Sequence, residues 1–400
     1  MTMNRKYIPL FVIGIVAGIC VMAPTIQAAD VTPFLTLRER YIRQTGIQTE
    51  SRGLTTLISP ALEIRQVGEA SLTEINYRVS LQRRHGTLNT DDDTDADHHV
   101  TLTRQTAWTP RTKTAWDGFL IVSPDLTRFS TETVLNQAET LLIPGADTVQ
   151  SGLYFQASHE ASPIRTLQWG LSLNDTRYQD PSLSDALQYG VSLAQSAQIT
   201  RADQLRISYG FTHSQVDGAG LDIHHVGTGY GRSVSAATAV HLHVGGGYVQ
   251  DMDVLTGTFG AGFVWTVDQR TVSLSALRSI TGVNRDTIVS PGSSARAGGG
   301  IFSEPTVTES VSLRIGGTTP RRLTEYVQAT ASRNHTLTAG EDPVAVYSIV
   351  TGIQHTFNPH WSAGLDYQYL DQRARGAAVD RSFRYHMVSA FLTLHGATWK

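Results

Sequence analysis

The segment Ala239-Val240-His241-Leu242-His243-Val244-Gly245-Gly246-Gly247-Tyr248 places two histidines one residue apart. On a β-strand, residues two apart share a face, so both imidazoles point the same way. That spacing serves metal sites. A site here would need further ligands, and His224 and His225 on the preceding strand are the nearby candidates. The same spacing is also what the wet side of a strand looks like when its other side is apolar. Val240, Leu242, Val244 and Tyr248 supply that apolar side. No cofactor is implied, and the histidines are expected to line water without holding a metal.

Catalytic patterns are weak. A lipid-facing serine hydrolase needs His and Ser two residues apart on one strand face. His213-Ser214 are adjacent and so point to opposite faces, and His360-Trp361-Ser362 falls at a turn. Asp222-Ile223-His224, with Asp91, Asp93, Asp95 and Asp97, resembles the rim arrangement of omptin proteases, which are far smaller barrels. The Asp-rich run is expected to be a solvated loop, with a loosely held cation as its functional alternative. The chain is not expected to be an enzyme.

The elements that would carry these residues are strands. The 400 residues are 40% apolar, only 17% charged, and carry a formal net charge of −3. That balance is too polar for a helical membrane protein, poor in charge for a soluble enzyme, and without the basic excess of a nucleic-acid binder. Arg5-Lys6, an apolar run from Leu10 to Met22 and a small-residue site at Ala28 read as a cleaved signal peptide over 1–28. The apolar run is shorter than the roughly 20 residues of a helical span. The only cysteine, Cys20, lies within it, so residues 29–400, expected to form one domain, hold no thiol.

Beyond residue 30, period-2 alternation recurs over about ten residues at a time. Ile75, Tyr77, Val79 and Leu81 face one way, and Glu74, Asn76, Arg78 and Gln82 the other. Trp361, Leu365, Tyr367 and Tyr369 alternate with Asp366 and Gln368; Leu187 to Leu193 and Leu205 to Phe211 repeat the pattern. About 18 strands (16–18) result. Short connections such as Thr109-Pro110-Arg111, Ser162-Pro163-Ile164 and Asn358-Pro359-His360 alternate with longer ones, including 123–150 and 279–299. Trp108, Trp116, Trp169, Trp265 and Trp361, five of the six tryptophans, cluster at the short-turn end as an interfacial girdle would. The expected fold is all-β: a transmembrane antiparallel up-and-down barrel of the bacterial outer membrane.

Hydrocarbon satisfies no backbone N–H or C=O, so strands cross it only as a closed barrel. At this strand number the lumen leaves an aqueous channel unless a loop plugs it, and 123–150 is the loop most able to fold inward. The pore-lining candidates are Glu74, Asn76, Arg78, Gln82, His241, His243, Asp366 and Gln368.

Val31-Thr32-Pro33-Phe34-Leu35-Thr36-Leu37-Arg38-Glu39-Arg40-Tyr41, the strand Leu54 to Ile64 and the strand Ile75 to Leu81 resemble the outer-membrane β-barrel proteins encoded with exopolysaccharide clusters. Those include barrels linked to exosortase/PEP-CTERM sorting systems. The resemblance is clearest over 31–120. It implies a non-enzymatic conduit in exopolysaccharide secretion and biofilm formation. Outer-membrane lipid and lipopolysaccharide, the extracellular polysaccharide and periplasmic export proteins would be its partners. A general small-solute porin and a structural docking barrel are the alternative expectations, with an omptin-like protease more distant.

Overall fold

A computed structural model of the chain describes residues 29–46, 51–86, 95–123, 148–178, 185–216, 219–281, 306–337, 343–374 and 383–399. The proposed signal peptide, the 124–147 segment and Asp91 and Asp93 lie outside these residues.

The strands are β1 Ala29–Gly46, β2 Ser51–Val67, β3 Ser71–Gly86, β4 Asp95–Thr109, β5 Thr112–Ser123 and β6 Thr148–Ser162. They continue with β7 Arg165–Tyr178, β8 Ala186–Gln198, β9 Asp203–Val216, β10 Ala219–Ser235, β11 Thr238–Val249 and β12 Val254–Val267. The last six are β13 Arg270–Thr281, β14 Thr306–Thr318, β15 Leu323–Thr336, β16 Val344–Asn358, β17 Trp361–Ala374 and β18 Phe383–His395. Each pairs antiparallel with its sequence neighbours in an 18-stranded sheet, and β18 pairs with β1 from Phe34↔His395 to Gly46↔Phe383, closing the barrel. The expected count and topology are those of the structure.

Every connection from an even to the next odd strand is two to four residues long, from 68–70 after β2 to 359–360 after β16. The one at 236–237, between β10 and β11, has no proline, glycine or aspartate to announce it. At the other end, β11 and β12 are joined through a single 3₁₀ turn, Gln250–Met252, so that end is not uniformly long. The start of β1 and the end of β18 lie at the short-turn end, where the Val31 and Trp399 amides each donate to the other residue's carbonyl, at 2.8 and 2.9 Å.

Burial is inverted relative to a soluble protein. Register and parity put Ile58, Val191, Leu193, Val244, Phe259, Leu313, Ile349 and Leu365 on the outer face, all exposed. The buried polar residues, Thr55, Gln188, Ser214, Thr330, Ser348, Gln368 and Ser389 among them, lie on the inner face, with Asp371 the exception. An apolar outside around a polar inside is stable only with hydrocarbon outside. The chain is an outer-membrane-type barrel. Trp108, Trp116, Trp169, Trp265 and Trp361 all sit on the outer face toward the short turns, and Trp399 is exposed at the same end.

The inversion makes a direct prediction. Val191→Arg, on the outer face at mid-strand, should destabilise the barrel by about 2–4 kcal/mol in urea titrations from lipid vesicles. Ser192→Arg, one residue along and facing inward, should change stability by no more than about 1 kcal/mol. Equal effects would contradict the assignment of faces.

The wall departs from a simple cylinder at one seam. Pairing between β12 and β13 runs from Val267↔Arg270 to Phe259↔Arg278 and stops there, although β12 continues to Val254 and β13 to Thr281. Beyond that point Ile280 and Val307, on the outer side of the β13–β14 hairpin, pack against the inward-facing Ile223 and Val249 of β10 and β11. The hairpin therefore tucks inside its neighbours, and an apolar cluster narrows the outer mouth on that side.

Candidate channel wall

All eight proposed lining residues are on the inner face. Glu74, Asn76, Arg78 and Gln82 alternate inward along β3, opposite Arg65, Glu63, Ala61 and Leu57 of β2. Arg65 and Glu74 form an ion pair at 3.2 Å. Asn76, Arg78 and His241 are exposed on that face, Glu74 and His243 are partly covered, and Gln82 is buried. Asp366 and Gln368 lie within packed structure: Asp366 is 5% exposed and Gln368 fully enclosed.

Two arcs of the inner wall differ in character. Along β15 to β18 and β1 the wall is filled. Val346, Val350, Leu370, Tyr385 and Met387 form a buried apolar cluster on the inner face, with Ile42, Tyr326 and Val344 packed against it. Beside it, the Tyr326 hydroxyl donates to Asp366 Oδ1 at 2.5 Å, and the Ser389 hydroxyl approaches Asp366 Oδ2 at 3.5 Å. Arg38 Nη2 lies 3.7 Å from the same Oδ2, and the Arg38 guanidinium stacks over the Phe391 ring. A carboxylate with this much company is stable away from bulk water because its charge and its lone pairs are answered together.

Along β9 to β12 the wall is bare. Inward positions there are Gly210 on β9, Gly227, Gly229 and Gly231 on β10, Gly245 and Gly247 on β11, and Gly260 and Gly262 on β12. Among them stand three histidines, each flanked by glycine on both neighbouring strands. His225 lies between Gly210 and Gly247, His243 between Gly229 and Gly260, and His241 between Gly231 and Gly262. The arrangement has a steric cause. A Cβ at Gly227 would run into the His243 imidazole, and one at Gly247 would meet His225 Nδ1 at 3.3 Å. The glycines let the rings lie down along the wall, and Arg206 sits opposite Gly229 in the row that holds His243. The result is a shallow, hydrogen-bonding surface with little bulk.

Several enclosed inner-face amide atoms, Gln82 Oε1, Gln188 Oε1 and Gln368 Oε1 among them, have no protein partner.

The catalytic candidates do not converge. Asp222 pairs with His213, Nδ1 to Oδ1 at 2.6 Å, on the outer face, and the Asp222 amide donates to Asp251. Its sequence neighbour His224 instead meets the Tyr209 hydroxyl through Nδ1 at 2.9 Å. Ser214 points inward, away from His213, and Ser362 is buried on the inner face. Among the described residues no group of three or more His, Cys, Asp or Glu side chains could hold a metal ion. Sequence reasoning found His241 and His243 and named His225 only as a possible further ligand; its place in the wall, and the glycines flanking each histidine across strands, become visible only when strand register is known.

No family model and no curated protein matches the chain. Among solved structures it is similar to OccK7 (OpdD) of Pseudomonas aeruginosa, with a TM-score of 0.51 and 11% identity, covering 93% of this chain and 100% of that one. OpdL and OpdK of the same organism, the latter determined with vanillate, give TM-scores of 0.47 and 0.48 at 12% and 11% identity. Each of those two covers 92% of this chain and 99% of its own. At such identities the likeness is one of fold. It agrees with the barrel fold and does not bear on the exopolysaccharide association.

Proposed function

We propose that the protein is a non-enzymatic outer-membrane channel for small polar solutes, exported by the signal peptide at 1–28. The carrying observation is the asymmetry of the lumen. The inner face of β15 to β18 and β1 is closed by buried side chains, and the tucked β13–β14 hairpin narrows the outer mouth. The glycine-paved arc of β9 to β12 is then the low-relief side along which a solute can pass. Its histidines, Arg206, Ser208 and Thr258 offer exchangeable hydrogen bonds of the weak, repeated kind that permeation requires. The likeness of fold to OccK7 (OpdD) is consistent with this reading.

Proteoliposomes swollen in neutral sugars of rising size test it. Monosaccharides should enter and long oligosaccharides should be excluded. Equal entry of polymers, or no entry of any solute, would contradict it.

A polysaccharide conduit is the second reading, favoured by the resemblance over residues 31–120. It would need periplasmic export proteins to drive the polymer. Loss of extracellular matrix on gene deletion, with small-solute uptake unchanged, would favour it. A barrel that is tightly closed and retains an export partner in pull-downs would instead be a docking platform.

A further inference from the structure

Six arginines form a belt on the outer surface of one arc of the barrel. They are Arg43 on β1, Arg52 on β2, Arg83 on β3, Arg333 on β15, Arg373 on β17 and Arg384 on β18. Each is exposed and lies one to three residues from the end of its strand, at the end opposite the short turns. Each also lies an even number of residues from an exposed apolar side chain on its own strand, respectively Tyr41, Leu54, Leu81, Val327, Leu365 and Val388. All six therefore point outward. Since β18 pairs with β1, these strands form one continuous stretch of wall.

The belt is built rather than scattered. Asp371, among the described residues the one buried polar side chain that faces outward, holds Arg373 at 2.7 Å and stands 3.7 Å from Arg384. Its side chain is 4% exposed while those two arginines are 58% and 60% exposed. Arg373 also lies over the Tyr347 ring at 5.4 Å. Among the described residues Arg333 stands in register with Glu309 of the neighbouring β14, and Asp371 is the buried carboxylate on which Arg373 and Arg384 converge. Arg43 pairs in register with both Arg52 and His386, which concentrates the charge at the barrel closure.

Depth fixes the ligand. From Trp361, in the short-turn girdle, to Arg373 on the same strand is 12 residues. At about 3.3 Å per residue and a tilt near 40° that is roughly 30 Å, slightly more than the apolar band of an outer-membrane barrel. The arginines thus stand where hydrocarbon gives way to headgroups in the outer leaflet, above a layer of Tyr41, Tyr347 and the hydrogen-bonded pair Tyr367–His386. The opposite arc carries carboxylates at this end, with Asp222 on β10 and Asp251 and Asp253 in the β11–β12 turn. Guanidinium groups suit bidentate contacts with phosphate.

The geometry points to a binding site for the phosphorylated sugar headgroup of lipid A on the arc from β15 through β18 to β3. This lipid partner would orient the barrel and leave the opposite arc free of tightly held glycolipid.

Binding of bis-phosphorylated lipid A to the purified barrel in detergent, read by native mass spectrometry, tests the site. The quadruple replacement of Arg43, Arg52, Arg373 and Arg384 by glutamine should weaken binding roughly tenfold or more. Arg373→Gln alone should weaken it measurably, and it serves as the deciding variant if the quadruple form does not fold. Arg177→Gln, an outward arginine on β7, should leave it unchanged. Dephosphorylated lipid A and phosphatidylglycerol should bind more weakly than the bis-phosphorylated form. Undiminished binding by the belt variants, no loss on removing the phosphates, or no binding by the wild-type barrel would overturn the assignment.

Discussion

Asp366→Ala is expected to destabilise the barrel by about 3 kcal/mol, the largest effect of any single lumen substitution proposed here. The carboxylate accepts the Tyr326 hydroxyl, lies near the Ser389 hydroxyl and faces the Arg38 guanidinium, all in a part of the wall that is almost closed to solvent. Alanine removes the acceptor and the negative charge together. The tyrosine hydroxyl loses its partner, and Arg38 and the buried Arg40 are left beside each other on the inner face of β1 with less to offset them. Removing one member of a buried pair costs more than the pair contributed, because the survivor stays desolvated. Asp366→Asn keeps the shape and one acceptor, so it should lose less, about 1–2 kcal/mol. Urea unfolding from vesicles, with heat-modified mobility as a second readout, checks both. Equal stability of Asp366→Ala and wild type would show that the filled arc is not held by this network.

Gly229→Trp should reduce conductance by roughly half or more without unfolding the protein. A Cβ at Gly229 meets the Leu242 carbonyl oxygen at 3.6 Å and the Arg206 Cβ at 3.7 Å, ordinary contact distances. The added indole therefore has no direction to take except into the lumen, in the row that holds Arg206 and His243. Gly245→Ala is the informative contrast. There a Cβ collides with the Val226 carbonyl oxygen and lies 2.9 Å from the Gly227 Cα, both backbone atoms that cannot step aside. That methyl should cost stability, on the order of 1–3 kcal/mol, with little direct effect on the pore. One glycine is open for passage and the other for packing. Unchanged conductance in Gly229→Trp would place the solute path elsewhere in the lumen.

Most of the barrel was legible because outer-membrane strands expose their two environments every second residue. Leu187, Tyr189, Val191 and Leu193 announce an outer face with no help from tertiary structure, and all four are exposed where alternation put them. The turns at Pro110, Pro163 and Pro359 were equally plain, whereas Ala236-Ala237 carries no turn chemistry and was passed over. The filled arc was harder to see. In β16 apolar residues occupy both faces, with Val344, Val346 and Val350 inward and Tyr347, Ile349 and Ile353 outward, so its period weakens. A strand buried on both sides reads as a nearly continuous apolar run, and here that run marks packing inside the lumen.

The glycines that flank these histidines on the neighbouring strands were illegible for a different reason. His225 and its neighbours Gly210 and Gly247 come from three strands, and only the register between β9, β10 and β11 sets them side by side. A single sequence specifies faces far more firmly than it specifies register. The outward Asp371 escaped for the same reason, since its meaning depends on Arg373 beside it and on Arg384 across the strand pair.

Single-channel recording of the purified mature barrel in a planar bilayer tests the central claim most directly. The account predicts discrete, steady openings of modest size that small sugars traverse and long polysaccharide does not block from within, with smaller openings in Gly229→Trp. Absence of any conductance, or a large conductance that polysaccharide enters and occludes, would contradict it.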